Sequence, residues 1–144
     1  MPDPRVTKTQ RQEIITRAQE CCEYCHSQAR FATQSFTVEH IIPRYAGGTT
    51  TLDNLAWSCF GCNSHKHTKT VALDPFTRQI VALFHPRQQN WHDHFAWNED
   101  FTFIIGTTPI GCATIEALQL NRPELVNLRR VLHMVGEHPL PVDR

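Results

Sequence analysis

The sequence predicts an α+β fold in which a small core stapled by four cysteines precedes a hairpin and two helices. Two Cys-x-x-Cys pairs, Cys22–Cys25 and Cys59–Cys62, have 33 residues between them. Two short β-prone stretches and a short helix follow in order around the second pair. Beyond Thr70 the composition changes, and a strand, a hairpin and two Pro-initiated helices are expected. The boundary is therefore placed at residue 70, with 1–70 as the core and 71–144 as an extension packed on it.

Each element has a local reason. Residues 7 to 20 read as a helix, with Ile14, Ile15 and Ala18 as its apolar stripe and Thr7 or Thr9 as N-cap. Cys21–His26 forms a tight polar turn, and Phe36-Thr37-Val38 is a β-prone run leading into Glu39-His40. Pro43 and the paired Gly47-Gly48 mark a loop, and Leu55–Ser58 is the second strand. Gly61 to about Thr70 forms a short helix of weak formers. In the extension, 79–84 reads as a strand, and 95–97 with 102–105 as a hairpin around Asn98-Glu99-Asp100. Thr108-Pro109 and Arg122-Pro123 each open a helix, reaching about Leu120 and Val135. Leu125, Leu128, Val131, Leu132 and Val135 are expected to face the core from the second of these.

Composition sets the outer limits. A chain of 144 residues with 40% hydrophobic and 19% charged residues is neither a disordered tail nor a fibrous repeat. Its longest purely apolar run, Ile80–Phe84, is far too short to span a bilayer. The first residues lack an apolar signal core, so a cytoplasmic location is expected. The net charge is zero, divided into +2 over residues 1–70 and −2 over 71–144. That balance excludes coating of nucleic acid by bulk charge and requires any such contact to be made locally.

In a reducing compartment, clustered cysteines bind metal more often than they form disulfides. Each Cys-x-x-Cys presents two thiolates to one ion, and four thiolates complete a closed tetrahedral zinc site of the structural kind. The long insertion is tolerable, since doubling a loop costs only about 0.6 kcal/mol of closure entropy. Cys21 can compete with Cys22 as ligand, but the matched spacing favours Cys22. Cys21 and Cys112 are given no ligand role.

The enclosed segment holds Glu39-His40-Ile41-Ile42-Pro43-Arg44, then Gly47-Gly48, then Asp53-Asn54-Leu55, with Cys62-Asn63 closing it. In this order the motifs resemble the HNH endonuclease family of the ββα-metal (His-Me finger) group, over roughly residues 10 to 70. The resemblance implies two strands and a helix around a catalytic divalent ion, Mg²⁺ or Mn²⁺, and hydrolysis of DNA phosphodiester bonds. It makes His40 the general base, a role suited to neutral imidazole near physiological pH. Glu39 stands where the family usually has a metal-binding Asp, Asn54 where a side chain orients the histidine, and Asn63 where an amide ligates the ion.

His67, four residues after Asn63, is expected on the same helix face as a second ligand or phosphate contact. Arg44, Lys66 and Lys69 are the basic groups nearest the site in sequence and the candidate DNA contacts. One such site nicks one strand, so a homodimer would serve double-strand cleavage; no membrane partner is expected. The rival reading is a zinc-stabilised nucleic-acid-binding module without cleavage. In the extension, His92 and His94 flank Asp93 but lack further ligands, so no second metal is assigned. The 84–97 stretch resembles the tail of a group of short HNH proteins. Arg122, Arg129 and Arg130 read as a solvated helix face.

Overall fold

The computed structural model describes residues 5–141. The chain forms two compact units: residues up to Thr70 together with His85–Gln88, and Val71–Phe84 together with the chain from Gln89 onward. The first unit therefore takes back a four-residue segment from beyond the boundary at residue 70.

In the first unit, helix α1 (Lys8–Arg17) starts at a complete capping box. The Thr7 hydroxyl accepts from Gln10 N–H, and the Gln10 side chain accepts from Thr7 N–H. Strands β1 (Thr37–His40) and β2 (Leu55–Ser58) pair antiparallel, with Glu39 opposite Ala56 and His40 opposite Leu55. Every residue of β2 is buried, and Leu55, Ala56 and Trp57 share the core with Ile14, Ala18, Tyr24, Phe36 and Ile41. Arg11 caps this core from outside, its guanidinium 5.0 Å from the Trp57 ring centre. Helix α2 (Phe60–Lys66) follows β2 directly and is shorter than expected. It stops because His67 leaves helical geometry at φ 50°, ψ −118°.

The second unit contains a hairpin of β3 (Val71–Leu73) and β4 (Ile80–Ala82), a short helix α3 (Trp91–His94), and a hairpin of β5 (Phe95–Trp97) and β6 (Ile104–Gly106). Helices α4 (Pro109–Leu118) and α5 (Pro123–Met134) complete it. The Thr108 side chain caps α4 by accepting from Gly111 N–H. The strand expected over 79–84 is confined to Ile80–Ala82, and its partner Val71–Leu73 was not anticipated.

The buried face of α5 also differs from expectation. It runs through Leu125, Val126, Arg129 and Leu132, while Val131 and Val135 are 58% and 66% exposed. Arg129 rotates the face inward, because its guanidinium donates to Thr102 O (2.9 Å), Leu120 O (2.6 Å) and Asn121 Oδ1 (3.1 Å). It also lies 5.2 Å from the Trp97 ring centre. A buried cation supplied with three acceptors is a core element, so Arg129 is not part of a solvated face. Among the described residues, no helix is long and apolar enough to cross a membrane.

Candidate functional site

The first cysteine pair sits on a reverse turn pinned to β2. His26 N–H donates to Cys22 O (2.9 Å), and His26 takes φ 62°, which turns the chain back beside Cys25. Glu23, inside the turn, donates its N–H to Trp57 O (2.9 Å) and accepts Trp57 N–H on Oε2 (2.8 Å). Its other oxygen is paired with the Arg87 guanidinium, which holds the 85–88 segment to this knuckle. The second pair spans the start of α2, where Cys59 is the N-cap and its sulfur accepts from Cys62 N–H (3.4 Å).

The four sulfurs of Cys22, Cys25, Cys59 and Cys62 are buried and lie within 4.8 Å of one another. Those of Cys25 and Cys59 are 3.7 Å apart. A disulfide would require about 2.05 Å. A tetrahedral zinc with bonds of about 2.3 Å separates its sulfurs by about 3.8 Å. The cluster therefore has the dimensions and donor chemistry of a zinc site. Cys21 lies outside it despite being buried, its backbone bridged to Gln28. Burial pushes the Cys22 thiol well above its ordinary pKa, and hydrogen bonds with the neighbouring cysteine sulfurs do the same at Cys62. A bound cation is what would stabilise thiolates there.

His40 ends β1, half-buried, with Nε2 2.8 Å from Thr50 Oγ1. Partial burial lowers its pKa, and the nearby Arg44 and Lys66 charges add to the effect. Both effects favour the neutral form of the ring, the form a general base requires.

Glu39 alternates to the other face of the strand and is buried. Its Oε1 accepts from the Tyr24 hydroxyl, and its Oε2 lies 3.1 Å from Lys66 Nζ. Burial raises its pKa, while the Lys66 charge and the Tyr24 hydrogen bond oppose the rise. Lys66, expected to contact phosphate, is only 1% exposed, and its ammonium also donates to Ile41 O (2.9 Å). That placement removes it from the surface and makes it the internal counter-ion of Glu39.

Asn54 is buried beneath the loop that joins the two strands. Its Oδ1 accepts from Ile42 N–H (2.9 Å), and its Nδ2 donates to Ile42 O (3.0 Å) and Thr49 O (2.9 Å). Gly48 is required in the same loop, since a Cβ there would lie 1.7 Å from Ile42 O. Asn54 thus fixes the path of the chain immediately after His40 and immediately before Thr50.

Asn63 is half-buried on α2, and its carbonyl accepts the His67 N–H (2.9 Å). His67 itself is exposed and lies beyond the helix end, so the expected i, i+4 pair on one helical face is not formed as such. Lys69 and Arg44 are exposed; Lys69 Nζ donates to His65 O (2.9 Å) and Arg44 Nη1 to Thr50 Oγ1 (3.4 Å). In the second unit, His94 Nδ1 meets Thr108 Oγ1 at 2.7 Å, and His92 is exposed.

Among the described residues, the four cysteines are the one group of three or more His, Cys, Asp or Glu side chains close enough to hold an ion. Both Glu39 oxygens are engaged, one by the Tyr24 hydroxyl and the other by the Lys66 ammonium. Sequence reasoning missed Tyr24, Thr50 and Arg87. Tyr24 lay in view inside the first Cys-x-x-Cys, but nothing local marks it as a carboxylate partner.

Residues 22–69 match the model of the family described as HNH endonuclease. No curated protein and no solved structure matches the chain. The matched span runs from the first cysteine knuckle through β1, β2 and α2. The four-cysteine cluster and the strand–loop–strand–helix order both lie in or around residues 22–69, the third of the chain that is similar to the HNH endonuclease family.

Proposed function

We propose that this protein is a metal-dependent DNA endonuclease that nicks phosphodiester bonds with His40 as general base. The observation that carries the reading is the environment of His40: it ends β1, is half-buried, has its pKa lowered by burial and nearby cations, and meets Thr50 through Nε2. In the reaction, His40 takes a proton from water and the hydroxide attacks phosphorus. The bond from phosphorus to the 3′ oxygen breaks, and the leaving oxygen collects a proton from solvent. Mg²⁺ or Mn²⁺ would supply charge neutralisation at the phosphate and the leaving oxygen, with Asn63 on α2 as the candidate residue to hold it. Zinc in the cysteine cluster would be structural, because four thiolates leave no open position. Arg44 and Lys69 are the exposed cations available to flanking phosphates. A homodimer would allow the two strands of a duplex to be cut together.

The engagement of Glu39 by Lys66 and Tyr24 favours one second reading, a zinc-stabilised nucleic-acid-binding module without cleavage. Nicking of supercoiled plasmid by pure protein, with and without Mg²⁺ or Mn²⁺, separates the two. The endonuclease reading expects metal-dependent nicking that is lost in His40→Ala with DNA binding retained. Protein that binds DNA yet never nicks, with His40→Ala indistinguishable from the wild type, would establish the binding module instead.

A further inference from the structure

Asn54 holds the loop after β1 through Ile42 and Thr49, and it is the Thr50 hydroxyl that meets the His40 ring. We propose that Thr50 is the positioning residue of His40: its hydroxyl oxygen accepts the Nε2 proton, which leaves Nδ1 as the basic nitrogen. The inference rests on the endonuclease reading for its catalytic consequence, and on geometry alone for the hydrogen bond.

Three observations support it. The Nε2–Oγ1 separation is 2.8 Å, a full-strength hydrogen bond. The oxygen is also approached at 3.4 Å by Arg44 Nη1, a group that can only donate. A hydroxyl oxygen has two lone pairs, so it can accept from Arg44 and from Nε2–H together, with its own proton turned away from the ring.

The third observation is that the loop is clamped on both sides of the hydroxyl. Asn54 Nδ2 donates to Thr49 O at 2.9 Å, and Gln10 Nε2 donates to Thr50 O at 3.2 Å. Gln10 is itself fixed by the capping box of α1 with Thr7. A run of hydrogen bonds therefore leads from the start of the first helix to the imidazole, and Thr50 is its last link. A ring held by a supported hydroxyl presents one nitrogen at one angle, which is the preorganisation that base catalysis demands.

The test uses the full-length protein and two variants, Thr50→Val, which removes the hydroxyl at nearly constant shape, and Thr50→Ser, which keeps it. Long-range proton–nitrogen correlation spectra of ¹⁵N-labelled protein report which ring nitrogen of His40 carries the proton. The wild type and Thr50→Ser are expected to show protonated Nε2, and Thr50→Val to lose that preference. In single-turnover nicking at saturating DNA, Thr50→Val should be slower by about tenfold or more with unchanged DNA affinity, and Thr50→Ser should recover most of the rate. A wild-type ring protonated on Nδ1, or a Thr50→Val protein with the wild-type spectrum and rate, would overturn the proposal. If the wild type does not nick, the endonuclease reading falls, and the spectra still decide for or against the Thr50 bond.

Discussion

Lys66 Nζ lies 3.1 Å from Glu39 Oε2 with both side chains almost wholly buried, and this pair ties α2 to β1. The Tyr24 hydroxyl and the Ile41 carbonyl satisfy the other sides of the two charges. Breaking a buried pair from one side strands the other charge, at a cost of about 3–5 kcal/mol. Lys66→Met should therefore lower unfolding stability by roughly that amount, and the double variant Glu39→Gln with Lys66→Met by clearly less. Urea unfolding of the wild type and the two variants checks this. Equal stability of Lys66→Met and wild type would place Lys66 in solvent.

Removing the metal from the cysteine cluster should unfold the first unit. Ligation free energy is folding free energy where the site exists only in the folded state. Metal analysis of pure protein should find one zinc per chain, lost in Cys62→Ser. A strong chelator should produce a large fall in thermal stability, reversed by added zinc. An unchanged melting curve after complete chelation would show that the sulfurs need no ion.

Asn54→Ala removes an acceptor from Ile42 N–H and donors from Ile42 O and Thr49 O. Each buried group left unpaired costs about 1–3 kcal/mol, with water entry reducing the total. The loop that carries Thr50 should loosen, so nicking should fall more than DNA affinity. Comparing cleavage rates with equilibrium binding decides the matter. Parallel losses in both would assign Asn54 to binding rather than to orienting His40.

The lowered pKa of His40 gives a pH prediction of definite sign. The base acts when neutral, so protonation switches it off; a pKa below the ordinary value of about 6.5 keeps it active further into acid. The acid limb of the single-turnover rate should accordingly lie below pH ~6.5, the range expected for a free imidazole. A bound divalent cation acts in the same direction. Arg44→Ala removes one of the charges responsible and should move the limb upward, whatever it does to the height of the profile. A limb above the ordinary histidine value would contradict the neutral-base reading.

What the sequence revealed was mainly what short stretches decide. Thr7, Thr108, Pro109 and Pro123 mark helix starts because capping involves only neighbouring residues. The cysteine pairs and the Glu39-His40 to Asn63 order were legible because their spacing is itself the signal. The features that escaped depend on distant partners. Lys66 looks like a surface lysine until β1 brings Glu39 to it, 27 positions earlier in the chain. Arg129 looks solvated until Leu120 and Thr102 offer it carbonyls. Val71–Leu73 becomes a strand only because Ile80–Ala82 returns alongside it. Thr50 carries no motif at all, and its role exists only where the loop folds back on the His40 ring.

The pairing of Arg87 with Glu23 bears on how the gene can be dissected. Residues 71–84 form an excursion, after which the chain comes back to finish the first unit before departing again. A stop codon placed after residue 70, just past the end of the family match, would delete Arg87 and with it the ion pair to the buried Glu23 carboxylate. A fragment expressed that way would report the damage of truncation instead of the properties of the first unit. Any minimal version of that unit has to retain residues through 88 and carry the excursion along with them.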